Sequence, residues 1–99
     1  MRQGTTPTLT FTLPFETTGL AKCNIDFAQN GSVVLTKGIE DCTLSENSVA
    51  VSLTEEETLA LNSKQLLEMQ ISVQKADNTI ARSKPIVTKV GKALSGEAL

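Results

Sequence analysis

Four stretches of this chain put an apolar side chain at every second position. They are Leu9, Phe11 and Leu13; Cys23, Ile25 and Phe27; Val49, Val51 and Leu53; and Leu67, Met69, Ile71 and Val73. A period of two belongs to a pleated strand, whereas a helix would spread those side chains around its circumference. Turn-forming residues stand between the stretches, notably Pro14, Asn30-Gly31, Glu46-Asn47 and Asn62-Ser63, and Asp77-Asn78 follows the last of them. A strand that is apolar on one face must bury that face against another layer, so the pattern demands two stacked sheets.

The chain of 99 residues suits one domain (1–99) with a single core. About seven short strands and one short helical turn near residues 54–61 point to an all-β fold, an immunoglobulin-like antiparallel β-sandwich. Pro14 ends the first strand, Thr8–Leu13. A second strand, about Lys22–Gln29, leads through Asn30-Gly31 into Val33-Val34-Leu35, the signature of a hairpin. A two-residue Asn-Gly loop would put Phe27 opposite Val34 and turn Leu35 to the side of Asp26. A three-residue loop, Gln29-Asn30-Gly31 with a bulge at Gly31, pairs Phe27 with Val33 and Ile25 with Leu35. That second register keeps the large apolar groups on one face and is the one expected. Residues 38–46 read as irregular, with a short strand around Cys42 and Leu44.

Thr54-Glu55-Glu56-Glu57 has the spacing of a capping box, with Thr54 at the helix start and Glu57 reaching back to it. Leu67–Gln74 is the longest alternating segment and is expected to be central. In Ile80–Val90, Arg82 and Lys84 should face solvent, with Ala81, Ser83 and Val87 inward. Pro85 lacks a ladder donor, which places that strand at an edge or breaks it. Residues 91–99 are rich in small residues and read as a tail that is loose unless a partner orders it.

Chemistry is scarce. The chain has no His, Trp or Tyr, which removes the usual general base and metal ligand and the best sugar-stacking groups. A Ser or Thr nucleophile would lack a base, and two Cys without His make a poor zinc site. No enzyme activity, cofactor or metal is expected; a catalytic role for Glu55–Glu57 would need a partner group. Cys23 is in phase with Ile25 and Phe27 and reads as a packed thiol. Two reduced cysteines are the simplest state, with a Cys23–Cys42 disulfide as the alternative.

Net charge is −2, so general nucleic-acid binding is disfavoured. The charge is nonetheless uneven. Glu40, Asp41, Glu46, Glu55, Glu56, Glu57 and Glu68 precede a basic final quarter with Lys75, Arg82, Lys84, Lys89 and Lys92. Two solvated faces, or head-to-tail association of copies, both fit that asymmetry. No apolar run reaches membrane-spanning length, and the sequence after Met1 does not look like a secretion signal, so synthesis in the cytoplasm is expected.

The segments Thr8–Pro14 (TLTFTLP), Ile25–Leu35 (IDFAQNGSVVL), Val49–Leu61 (VAVSLTEEETLAL) and Glu68–Val73 (EMQISV) carry a resemblance. With them, the chain resembles small prophage-encoded proteins of virion and tail genes and is similar to the N-terminal sandwich of phage baseplate upper proteins. It departs from them at Asn62-Ser63-Lys64, where they often carry Gly. The resemblance implies a structural or attachment module of a virion, with other tail proteins or further copies as partners, and supplies no active site. Phe15, outside any strand pattern, either is partly exposed or plugs the end of the core. If there is a surface patch, Phe15 with Leu20 is its candidate centre, and the basic Arg82, Lys84, Lys89 and Lys92 along an edge strand are the other candidate contact residues. No nucleic-acid, membrane or small-molecule partner is expected. A small-ligand or carbohydrate-binding module is the alternative.

Overall fold

A computed structural model describes residues Met1–Leu99. Its strands are β1 (Thr8–Thr12), β2 (Leu20–Gln29), β3 (Ser32–Gly38), β4 (Cys42–Ser45), β5 (Ser48–Ser52), β6 (Leu67–Lys75), β7 (Ile80–Arg82) and β8 (Ile86–Thr88). A 3-10 turn at Ile39–Asp41 and helix α1 at Glu55–Leu59 complete the elements. Antiparallel pairing gives a three-stranded sheet, order β1-β5-β4, and a five-stranded sheet, order β3-β2-β6-β7, with β8 also on β6. The two sheets form a sandwich. No helix is long and apolar enough to cross a membrane.

The alternating faces meet where the sequence put them. Ile25 and Phe27 of β2, Val49 and Val51 of β5 and Met69 and Ile71 of β6 belong to one buried cluster. Leu9 is only half-buried, because β1 is an edge strand and one flank of its side chain has no neighbour. β6 lies between β2 on one side and β7 with β8 on the other, so the longest alternating strand is central.

The hairpin corrects the expected register. Asn30 and Gly31 both take positive φ, at 52° and 78°, as a two-residue type I′ turn requires. Gln29 pairs with Ser32 and Ala28 with Val33, but Phe27 pairs with Leu35. Val34 is therefore an extra residue, a bulge four positions beyond Asn30 rather than at Gly31. The physical demand was right and the device was elsewhere: the bulge returns Leu35 to the face of Phe27, while Val33 and Val34 stay exposed.

Pro85 breaks the last strand, as anticipated, and gives eight strands instead of about seven. The break also reverses the phase. Ala81 pairs with Val73 and is inward, but Ile86 pairs with Met69 and Val87 with Glu68. Val87 thus faces outward and is 53% exposed, contrary to expectation. At the break the Ser83 N–H donates to the Ile71 carbonyl (2.9 Å) and the Ser83 hydroxyl accepts from the Ile71 N–H (3.2 Å). One side chain thereby completes a ladder that Pro85 interrupts.

At the helix start, the Thr54 hydroxyl accepts from the Glu57 N–H (3.1 Å) and the Glu57 carboxylate accepts from the Thr54 N–H (2.8 Å). Thr58 is fully buried, and its hydroxyl donates to the Thr5 carbonyl (2.8 Å) while accepting from the Thr5 N–H (3.1 Å). The start of the tail is more ordered than expected. Gly91 N–H donates to the Met1 carbonyl (2.7 Å), Gln3 N–H to the Gly91 carbonyl (2.9 Å) and Ala93 N–H to the Gln3 side chain (3.1 Å). Beyond it, Leu94 and Leu99 are exposed.

Candidate functional site

The sandwich has one closed side and one open side. On the closed side the chain passes from β3 to β4 through the short 3-10 turn alone, which holds the sheet edges together. Lys37 of β3 adds an ion pair to Glu57 of α1 at 2.8 Å. On the open side, β1 faces β6 with β7 and β8, and no segment crosses directly between these edges. A groove of about 440 Å³ runs there, walled by Leu9, Phe11 and Leu13 on one side and Met69, Ile71 and Ile86 on the other. Arg82 is the sole ionisable residue lining it, and Phe15 closes one end.

The β1 edge beside this groove is unpaired. Leu13 N–H donates to the Asn47 carbonyl (2.7 Å) and Leu53 N–H to the Pro7 carbonyl (3.0 Å). By the alternation of an antiparallel ladder, Pro7, Leu9, Phe11 and Leu13 use their backbone groups toward β5, and Thr8, Thr10 and Thr12 aim theirs outward. Natural sheets guard such edges with charge, proline, bulges or breaks. The five-stranded sheet has these guards: the Val34 bulge and Lys37 on β3, and the break with Arg82, Lys84 and Pro85 at β7 and β8. The three-stranded sheet has none within its edge strands, where Pro7 and Pro14 only flank β1 and Glu40, Asp41 and Glu46 only flank β4. β1 reads Thr-Leu-Thr-Phe-Thr, β4 reads Cys-Thr-Leu-Ser, and neither strand bears a charge. Its outer face is equally uncharged, with Thr8, Thr10 and Thr12 beside Ser48, Ala50 and Ser52. Unequal guarding of the two sheets is the feature that sequence reading missed. Strand composition alone could have shown it, once the order of strands was known.

The sequence candidates fall in three places. Phe15 and Leu20 are half-buried against the core and do not form an exposed patch. The Lys75 ammonium sits 4.1 Å from the centre of the Phe15 ring, and Leu20 pairs with Lys75, a cation–π contact capping the groove end. Arg82 lines the groove, opposite Ser72, and Lys84 lies exposed in the adjacent break. Lys89 and Lys92 follow β8, whose Thr88 pairs with Leu67, about 17 Å along β6 from Ser72. They continue the same edge but belong to the end where the Arg2 guanidinium donates to the Lys92 carbonyl (2.9 Å). The four basic residues do not make one patch.

Two of the three acids in the Glu55–Glu57 cluster make structural contacts, and Glu56 is exposed. Glu57 caps α1 and pairs with Lys37, and Glu55 accepts from the Leu99 N–H (3.0 Å). Burial pushes the Glu57 carboxyl upward, but hydrogen bonds from Lys37 and Thr54 outweigh it and hold the group below its usual value. No group of three or more His, Cys, Asp or Glu is placed to hold a metal ion. Comparison of the chain with protein-family models, with curated proteins and with solved structures finds no match to any of them.

Proposed function

We propose that this chain is a non-enzymatic structural module that joins protein chains by strand addition at the β1 edge, seated over the apolar groove. The observation that carries it is the unguarded, charge-free edge of the three-stranded sheet beside a groove with one ionisable lining residue. Main-chain bonds to Thr8, Thr10 and Thr12 would supply affinity, and the added strand would cover the mouth of the groove. The resemblance to phage tail and baseplate proteins supports a virion as the setting.

The occupant is a second copy of the chain. β4, the other unpaired edge of the same sheet, is flanked by Glu40, Asp41 and Glu46, while the groove side carries Arg82 and Lys84. Addition of β4 from one copy to β1 of the next continues the sheet and brings opposite charges together, a head-to-tail contact. Sedimentation across a concentration series tests this. Association that weakens with salt, and is lost in Thr10→Pro while the monomer remains folded, supports it. Pro at position 10 removes a donor on the free edge only and leaves the β5 ladder intact. A wild-type monomer at every concentration overturns it.

The groove volume also favours a second reading, a site for an apolar small molecule. Thermal stabilisation by fatty acids that persists in Thr10→Pro would select it.

A further inference from the structure

The two cysteines lie 19 positions apart in sequence on different sheets, yet the fold brings them together. Cys23 is on β2, opposite Val73, and points into the core at 1% exposure. Cys42 begins β4, opposite Val51, and is half-buried against the same cluster. The crossover sets their proximity. Gly38 pairs with Asn24, next to Cys23, and the chain then spends only Ile39–Asp41 before Cys42. The Cys42 thiol donates to the Gly38 carbonyl at 3.2 Å, which folds it back over β2. The two thiols are close enough that each alters the other's ionisation. Both are free.

We infer that Cys23 and Cys42 are a built-in disulfide site that staples the two sheets on the closed side when the chain meets a low-molecular-weight disulfide oxidant. Glutathione disulfide suffices as that oxidant. The Cys42 thiolate, the more accessible of the two, attacks one glutathione sulfur and expels a glutathione thiolate, leaving a mixed disulfide on Cys42. The Cys23 thiolate then attacks the Cys42 sulfur and expels the second glutathione. The protein dithiol loses two electrons and two protons, and glutathione disulfide becomes two glutathione thiols.

The environment makes the step slow. Burial raises the Cys23 thiol to about 11, helped by the neighbouring Cys42. Burial, Asp41 and Glu40 raise Cys42, against which Lys37 and the hydrogen bond with Cys23 work. Little thiolate is present at neutral pH, so this pair acts as a lasting staple and not as a rapid sensor.

The test incubates the folded protein with glutathione disulfide and follows free thiols and intact mass. The inference expects both thiols to disappear together with the loss of two hydrogens, within a single chain that keeps its far-ultraviolet circular dichroism. Closing this loop should lower the unfolding equilibrium constant by on the order of a hundredfold, read as a higher urea midpoint reversed by reductant. Cys23→Ala should stop at a glutathione adduct on Cys42, and Cys42→Ala should leave Cys23 unreacted while folded. A persistent glutathione adduct in wild type, a disulfide only between copies, or closure accompanied by a lower midpoint each overturns it. None of these outcomes depends on Thr10 or the β1 edge, so this inference and the proposed assembly role fail separately.

Discussion

The two sides of the sandwich are made from similar apolar residues and differ in how the chain finishes them. On the closed side the 3-10 turn, Cys42 and the Lys37–Glu57 pair tie one sheet to the other. On the open side, Leu9 and Ile86 face each other across a groove with no crossing segment. The lesson is that the connection decides whether a sandwich edge becomes core or surface. A three-residue crossover draws the edges together, whereas β1 leaves for β2 over the end of the sheets, through residues 13–19, and gives its flank no cover.

The sharpest way to break this contrast is to truncate one apolar group on each side. Phe27 is fully buried beneath Leu35, its partner across the hairpin. Phe27→Ala should destabilise by about 3–5 kcal/mol, through lost transfer and the cavity left behind. Ile86 faces the groove and is 46% exposed, so Ile86→Ala should cost less than about 1.5 kcal/mol, because much of that side chain is never removed from water. Urea unfolding of both variants decides the matter. Equal losses would mean that the open side is packed as tightly as the closed one.

A smaller effect is expected from the helix that abuts the closed side. Thr54→Ala removes the acceptor for the Glu57 N–H and should cost about 1 kcal/mol. The same measurement on Thr12→Ala, an outward position of β1 without a side-chain partner, should show a change within about 0.5 kcal/mol. If the two prove equal, the cap contributes nothing beyond ordinary surface substitution.

How far the sequence revealed these differences depended on the range of the interaction concerned. The Thr54 cap was legible because its donors and acceptors lie within four residues. The inward faces of β2, β5 and β6 were legible because alternation is local. The Val34 bulge was not, since an Asn-Gly turn and a displaced bulge satisfy the same parity and only pairing distinguishes them. Val87 failed for a related reason: the Ser83 hydroxyl lets the strand resume one residue out of phase after Pro85. The proximity of Cys23 and Cys42 depends on which strands overlie one another, and the openness of the groove depends on which edge receives no crossover. Neither is written in any single segment. Phe15 falls outside the alternation, which left open a surface patch with Leu20 or a plug at the end of the core; the structure half-buries both against the core, with Lys75 over the Phe15 ring.

The finest test separates charge from packing in the tie between β3 and α1. Glu57 ionises below its usual value of 4.5, mainly through hydrogen bonds from Lys37 and Thr54 that overcome its burial. A carboxyl whose folded value is depressed stabilises fully above its unfolded value, and that contribution is lost as pH falls through the folded one. The Lys37 side chain is 13% exposed and that of Glu57 23%, so the pair is partly screened and Lys37→Met should cost only about 0.5 kcal/mol at neutral pH. As pH falls below about 4.5 and on through the lower folded value, the gap between wild type and variant should close, because protonated Glu57 carries no charge for Lys37 to pair with. Urea unfolding in steps from about pH 7 down into acid follows the gap as it closes. A gap that persists in acid would mean that Lys37 and Met differ at this site for a reason other than the Glu57 charge, and the closed side would then be held by packing and the crossover, with that charge adding nothing.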